Sequence, residues 1–115
     1  MTVDLRHLEL ARPSWAKFSL IEQMANIGSE VSRTLRNKGN PERYWGAVAR
    51  AMDLFYLTME DPRWKGRQWK GSRREILRVR ELFAAAALGS DEFKTSLEDL
   101  DRYFDCFAWL ARADR

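Results

Sequence analysis

Residues 97–111 read LEDLDRYFDCFAWLA, and this stretch decides the fold class. Leu97, Leu100, Phe104, Phe107 and Ala111 recur at alternating intervals of three and four, the spacing that places side chains on one face of an α-helix. Working back along the chain, Ile76, Val79, Phe83 and Ala86 repeat the pattern up to Gly89, with Leu77 and Leu82 at the margins. Ser72 and Glu75 ahead of that stripe form a capping-box pattern, which predicts a helix start there. Trp45, Val48, Met52, Phe55 and Met59 make an earlier stripe, opened by Asn40 as N-cap with Pro41 at the first helical position and closed by Asp61-Pro62. The earliest clear stripe is Leu20, Met24, Ile27, Val31 and Leu35, between the Ser19/Glu22 capping box and Gly39. No alternating run of β-branched residues bounded by turns interrupts these stripes. Four helices with short links between the first pair and the last pair predict an all-α fold, an antiparallel up-and-down four-helix bundle over residues 15–115.

Outside that frame, residues 1–14 form an N-terminal arm set off by Pro13. Val3, Leu5, Leu8 and Leu10 suit either a short helix or an extended segment, packed on its own bundle or across a neighbouring subunit. A chain of 115 residues with an apolar fraction of 45% is one domain with one core. No segment nears the roughly 20 uninterrupted apolar residues of a membrane span. The opening MTVDLRHLEL lacks the apolar centre of a signal peptide, so a cytoplasmic protein with no membrane partner is expected. Cys106, the single cysteine, is expected to be a small buried hydrophobe.

The net charge of +3 is concentrated in residues 63–80, RWKGRQWKGSRREILRVR, which hold eight of the 20 basic residues and one acid. Part of this stretch is a connector of about ten residues, longer than the two to eight usual between bundle helices. Arg63, Trp64, Lys65, Arg67, Trp69 and Lys70 combine cations with aromatic rings, a composition that suits phosphates and bases or an acidic protein surface. A connector crossing the end of a bundle is also expected to fold at least one of these tryptophans down into the core. Arg73 and Arg74 fall at the expected helix start, where the macrodipole favours anions. Two readings stand for this pair: an anion site, or pairing with Glu98, Asp99, Asp101 and Asp105 of the last helix. Arg43 and Arg50, seven apart on one helical face, extend the candidate basic surface.

Apolar stripes wider than one core needs point to association. Tyr103, Trp109 and Leu110, with Cys106 beside them, form a second apolar set on the last helix and a candidate oligomer interface. Tyr44, Leu54 and Tyr56 do the same on the helix opened by Pro41. The small residues Ala25, Gly28, Ser29 and Ser32 allow close helix approach, within the bundle or between subunits. Catalytic chemistry has little to build on: the single histidine, His7, lies in the arm, and no Cys/His cluster or Glu-x-x-His pair is present. Gly66-x-x-x-x-Gly71-Ser72 lacks the lysine of a phosphate loop. No catalytic residue, metal or cofactor is expected.

Helix count and order over roughly residues 15 to 112, with wide stripes and an arginine-rich surface, resemble the four-helix-bundle proteins encoded in ribosomal RNA intervening sequences and the accessory variability determinant of diversity-generating retroelements. The segments SLIEQMANIGSEVSR, DLFYLTMEDPRW and REILRVRELF also look like a family of small uncharacterised bacterial bundle proteins. The first resemblance implies a homo-oligomer with a basic surface for nucleic acid, RNA ahead of DNA, and a protein partner such as a reverse transcriptase. HEPN ribonucleases are a second helical group, whose signature is an arginine followed four to six residues later by histidine. His7 has only Arg6 before it, so an active enzyme of that type is disfavoured. The expectation is therefore a non-enzymatic, RNA-binding accessory bundle; the alternative is a protein adaptor or an inert HEPN-like toxin–antitoxin component.

Overall fold

A computed structural model describes residues 5–113, with side chains from Leu8 onward. Val3 and the side chains of Leu5 and His7 lie outside the described residues. Among those described, the chain forms five α-helices and no strand: α1 (Leu5–Trp15), α2 (Leu20–Arg36), α3 (Pro41–Glu60), α4 (Lys70–Ala87) and α5 (Leu97–Ala113). Two 3-10 turns, Pro62–Trp64 and Arg67–Trp69, fill the link between α3 and α4. No helix among the described residues is long and apolar enough to cross a membrane.

Local signals set most of the helix ends. The Ser19 hydroxyl accepts from the Glu22 N–H at 3.2 Å, and the Glu22 carboxylate accepts from the Ser19 N–H at 3.0 Å. Asn40 caps α3 by accepting from the Arg43 N–H. Ser96 and Asp99 make the same reciprocal pair at the start of α5. Gly89, at φ +78°, ends α4 with the Ser90 N–H bonded to the Ala85 carbonyl and the Gly89 N–H to that of Ala86.

The core joins Met24, Ile27 and Val31 of α2 with Ala51 and Phe55 of α3, Ile76, Val79 and Phe83 of α4, and Leu97, Leu100 and Phe104 of α5. Helix α2 packs along both α3 and α5. Its contact with α5 depends on Gly28: a Cβ there would lie 2.7 Å from the Cβ of Phe104, so the small-residue step serves packing inside the chain.

Five expectations change. Trp45 is 47% exposed, because Tyr44 takes the inward position and donates to the Ala87 carbonyl at 2.7 Å, leaving the next residue rotated by about 100°. Leu54 and Tyr56 pack against α1, whose Leu8 and Trp15 form a second cluster with Leu57. That part of the wide α3 surface is covered by the chain's own first helix, which continues through Pro13. Cys106 is exposed on α5, one position outside the Tyr103/Phe107 contact. Helix α4 begins at Lys70 behind an uncapped Trp69, so the Ser72/Glu75 box does not form. The second 3-10 turn runs directly into the helix through the Lys70 N–H bond to the Arg67 carbonyl, and the Glu75 carboxylate turns forward to Arg78.

One buried side chain ties these parts together. Gln23, fully buried on α2, donates through its amide nitrogen to the Trp15 carbonyl and to Asp61 Oδ2, both at 3.0 Å, while its oxygen accepts from Trp64 Nε1 at 2.9 Å. Trp15 Nε1 donates in turn to Thr58 Oγ1 at 3.1 Å. Replacing Gln23 by leucine keeps the bulk but leaves a buried indole N–H, a carbonyl and a carboxylate oxygen short of a partner, at a cost of about 3 kcal/mol. Urea unfolding of Gln23→Leu against the parent measures this; a loss below about 1 kcal/mol would show that the network contributes little.

Candidate nucleic-acid interface

The eight cations of residues 63–80 divide sharply once their neighbours are known. Arg63 is occupied: it pairs with Asp61 at 2.7 Å, donates to the Phe18 carbonyl at 2.7 Å and lies 4.5 Å from the Trp64 ring centroid. Lys65 pairs with Glu60 at 3.0 Å, Arg78 with Glu75, and Arg80 with Glu81. Arg73 is half-buried and donates through Nη1 to the Met59 carbonyl, capping the last turn of α3. Arg67, Lys70 and Arg74 are exposed and hold no ion pair among the described residues. The connector is therefore not free of acids: Glu60 and Asp61, just before it, take two of its four cations.

The tryptophans divide as well. Trp64 is 8% exposed and held by Gln23, so it plugs the end of the core and offers no face to a base. Trp69 is half-buried, edge-on to Trp64 with ring centroids 4.8 Å apart. This pair pins the connector. Arg63 and Trp64 leave the candidate surface and become the root that holds it.

What remains converges. Lys65, Gly66, Arg67, Lys70 and Arg73 line one open cavity of about 310 Å³ at the junction of connector and α4. Arg74 lies one residue beyond it on the exposed side of α4. Helix α1 contributes a cation absent from the sequence reading: the charge of Arg12 reaches Glu60, as does that of Arg73. The hydrogen bond from Lys65 and then its charge hold the Glu60 carboxyl below its ordinary range; burial opposes them, and the charges of Arg12 and Arg73 add smaller contributions. Only the packing of α1 on α3 brings Arg12 here, and no local sequence signal announces it.

The other candidates lie elsewhere. Arg50 shares Glu30 with Arg33, at 3.1 and 2.5 Å, which ties α3 to α2; Arg43 is exposed on the N-terminal turn of α3. The acids of α5 do not pair with Arg73 or Arg74: Glu98 takes Lys38 at 2.9 Å and Asp99 takes Arg102 at 2.5 Å. Among the interface residues, Tyr103 is drawn into its own bundle, packed edge-on to Phe104 with its hydroxyl 3.5 Å from Glu75 Oε1. Burial, reinforced by the Glu75 charge, pushes its pKa up to about 12. Trp109 and Leu110 are 63% and 39% exposed. Among the described residues no three His, Cys, Asp or Glu side chains converge as a metal site.

The chain matches no family model, no curated protein and no solved structure.

Asp61 gives the root of this surface a pH signature. Burial pushes its pKa up, but the hydrogen bonds from Arg63 and Gln23 outweigh burial and hold it below the ordinary value. A carboxyl depressed on folding contributes stability above its unfolded pKa of about 3.9, lost as pH falls through the lower folded value. Asp61→Asn is expected to be less stable at neutral pH and to lose less on acidification. Urea midpoints at pH 7, 4 and 3 test this, and parallel acid limbs for variant and parent would contradict it.

Proposed function

We propose that this chain is a non-enzymatic accessory protein that binds the phosphate backbone of RNA through Arg67, Lys70, Arg73 and Arg74, with Lys65 at the margin. In this reading α2 to α5 act as an antiparallel up-and-down four-helix bundle, and α1 braces α3. The observation that supports it is the convergence of Arg67, Lys70 and Arg73, none of them in an ion pair among the described residues, on a cavity whose fourth cation, Lys65, pairs with Glu60. RNA is named over DNA on the resemblance to the intervening-sequence and retroelement accessory bundles. Trp69, half-buried, offers at most an edge to a base, so phosphate contacts dominate and sequence preference is weak.

Four neutralised phosphates on a single strand give a salt slope of about −2.8, a loss of about 50-fold in affinity between about 50 and 200 mM salt. Fluorescence anisotropy with a labelled single-stranded RNA measures this. The double variant Arg67→Gln/Lys70→Gln should flatten the slope by about half. Binding without salt dependence, or unchanged in the double variant, removes the proposal.

The exposed Trp109 and Leu110, near the C-terminal end of α5, support self-association through that face. Light scattering is expected to show an oligomer for the parent and a shift toward monomer for Trp109→Ala. A parent that is already monomeric at high concentration ends this part of the reading.

A further inference from the structure

The basic cavity gathers its cations around one small volume. It is an open depression of about 310 Å³, at the small end of the range for ligand pockets. Its lining is four cations and a glycine, with no hydrophobic side chain. A phosphodiester carries one negative charge on two free oxygens. A terminal phosphomonoester carries three free oxygens and nearly two charges above its second pKa of about 6. Cations gathered around a hollow reward the second charge and the third oxygen, whereas a flat basic surface rewards both groups alike.

Arg73 adds preorganisation. Its bond to the Met59 carbonyl uses one of five N–H donors and fixes the guanidinium at the cavity wall, leaving the other donors to a ligand at a smaller ordering cost. Lys65 is likewise steadied by Glu60. Gly66 brings no side chain to the wall, and the Gln68 carboxamide packs against it, its Oε1 2.7 Å from where a Cβ would lie.

We propose that this cavity recognises the terminal phosphomonoester of an RNA strand, the 5′-phosphate end, while Arg74 outside it contacts the following backbone. The inference rests on the RNA-binding reading above and adds end recognition to it. The described titratable groups around the cavity are Lys65, Arg67, Lys70 and Arg73, which line it, Arg12, whose charge reaches Glu60 from α1, and Glu60 itself, whose carboxyl is held below its ordinary range. Among the described residues lining the cavity none is a histidine, and the phosphomonoester, with its second pKa of about 6, is the group that changes charge between about pH 7.5 and 5.

The test compares two single-stranded RNAs of one sequence, with a 5′-phosphate and with a 5′-hydroxyl, against the full chain. The phosphorylated RNA is expected to bind about tenfold tighter at pH 7.5, with the advantage shrinking toward pH 5 as the second charge is lost. Lys70→Gln and, separately, Arg67→Gln should abolish the advantage, whereas Arg74→Gln should weaken both RNAs equally. Equal binding of the two RNAs by the parent overturns end recognition and leaves backbone binding standing. Failure of both to bind removes both readings. Adenosine 5′-monophosphate is the competing source: displacement of the RNA at the same concentration as the RNA's own dissociation constant would assign the cavity to a free phosphomonoester and overturn the RNA-end assignment.

Discussion

A carboxamide with no access to water constrains the rest of this molecule. Gln23 must find partners for its N–H groups and its carbonyl within the protein, since an unpaired buried polar group costs about 1 to 3 kcal/mol. Its partners come from three places: the end of α1, the residue after α3, and the first tryptophan of the connector. None of these is near Gln23 unless the others are in place, so the network forms as a unit. Asp61 extends it by accepting from the Arg63 backbone and guanidinium, and Arg63 closes the circuit on the Phe18 carbonyl. Three helices and a nine-residue link are thereby registered at one end of the fold.

That registration turns a basic sequence into a basic site. A connector that hung free would present its cations as a solvated cloud, each paying side-chain entropy to meet a ligand. Here Trp64 is anchored, Trp69 leans on it, and the 3-10 turn that contains Trp69 leads without a break into α4. Arg67, Lys70, Arg73 and Arg74 then fall within about two turns of one continuous helical run, with Arg73 locked onto the α3 terminus. At the same time Asp101 and Asp105 keep acidic charge on α5, so the charge of the molecule is unevenly distributed between that helix and the connector end.

How much of this was legible in the sequence depends on how local each cause is. Capping boxes and three-four stripes depend on residues within one turn, and they located α2, α3 and α5 closely. Features set by tertiary contact were not legible. Pro13 looked like a boundary, yet it sits inside α1, because Leu8 and Trp15 are held by Leu57. Trp45 joined the stripe by spacing and by hydrophobicity, but Tyr44 reaches a hydrogen-bond partner on α4 that sequence does not show. The Ser72/Glu75 box was a sound local signal overridden by a connector already turning helically before it. Cys106 has apolar neighbours in sequence, but on α5 these include the exposed Trp109 and Leu110, and the thiol is exposed with them.

The candidate site shows the same division in its charges. Counting along the chain treats every cation of residues 63–80 as available, whereas ion pairing depends on side-chain reach. Arg78 and Arg80 each have a glutamate within three residues, and Arg63 and Lys65 fold back on the two acids that end α3. Exposed pairs of this kind contribute little to stability, but a cation already near a carboxylate gains less from a phosphate, because its own neutralisation must first be undone. The effective charge of the surface is therefore set by the residues that lack an acid within reach, Arg67, Lys70 and Arg74, together with Arg73, whose partner is a neutral carbonyl. These four lie within eight consecutive positions that hold no acidic residue, and that local absence, more than the net charge of the stretch, is what leaves the junction of connector and α4 basic.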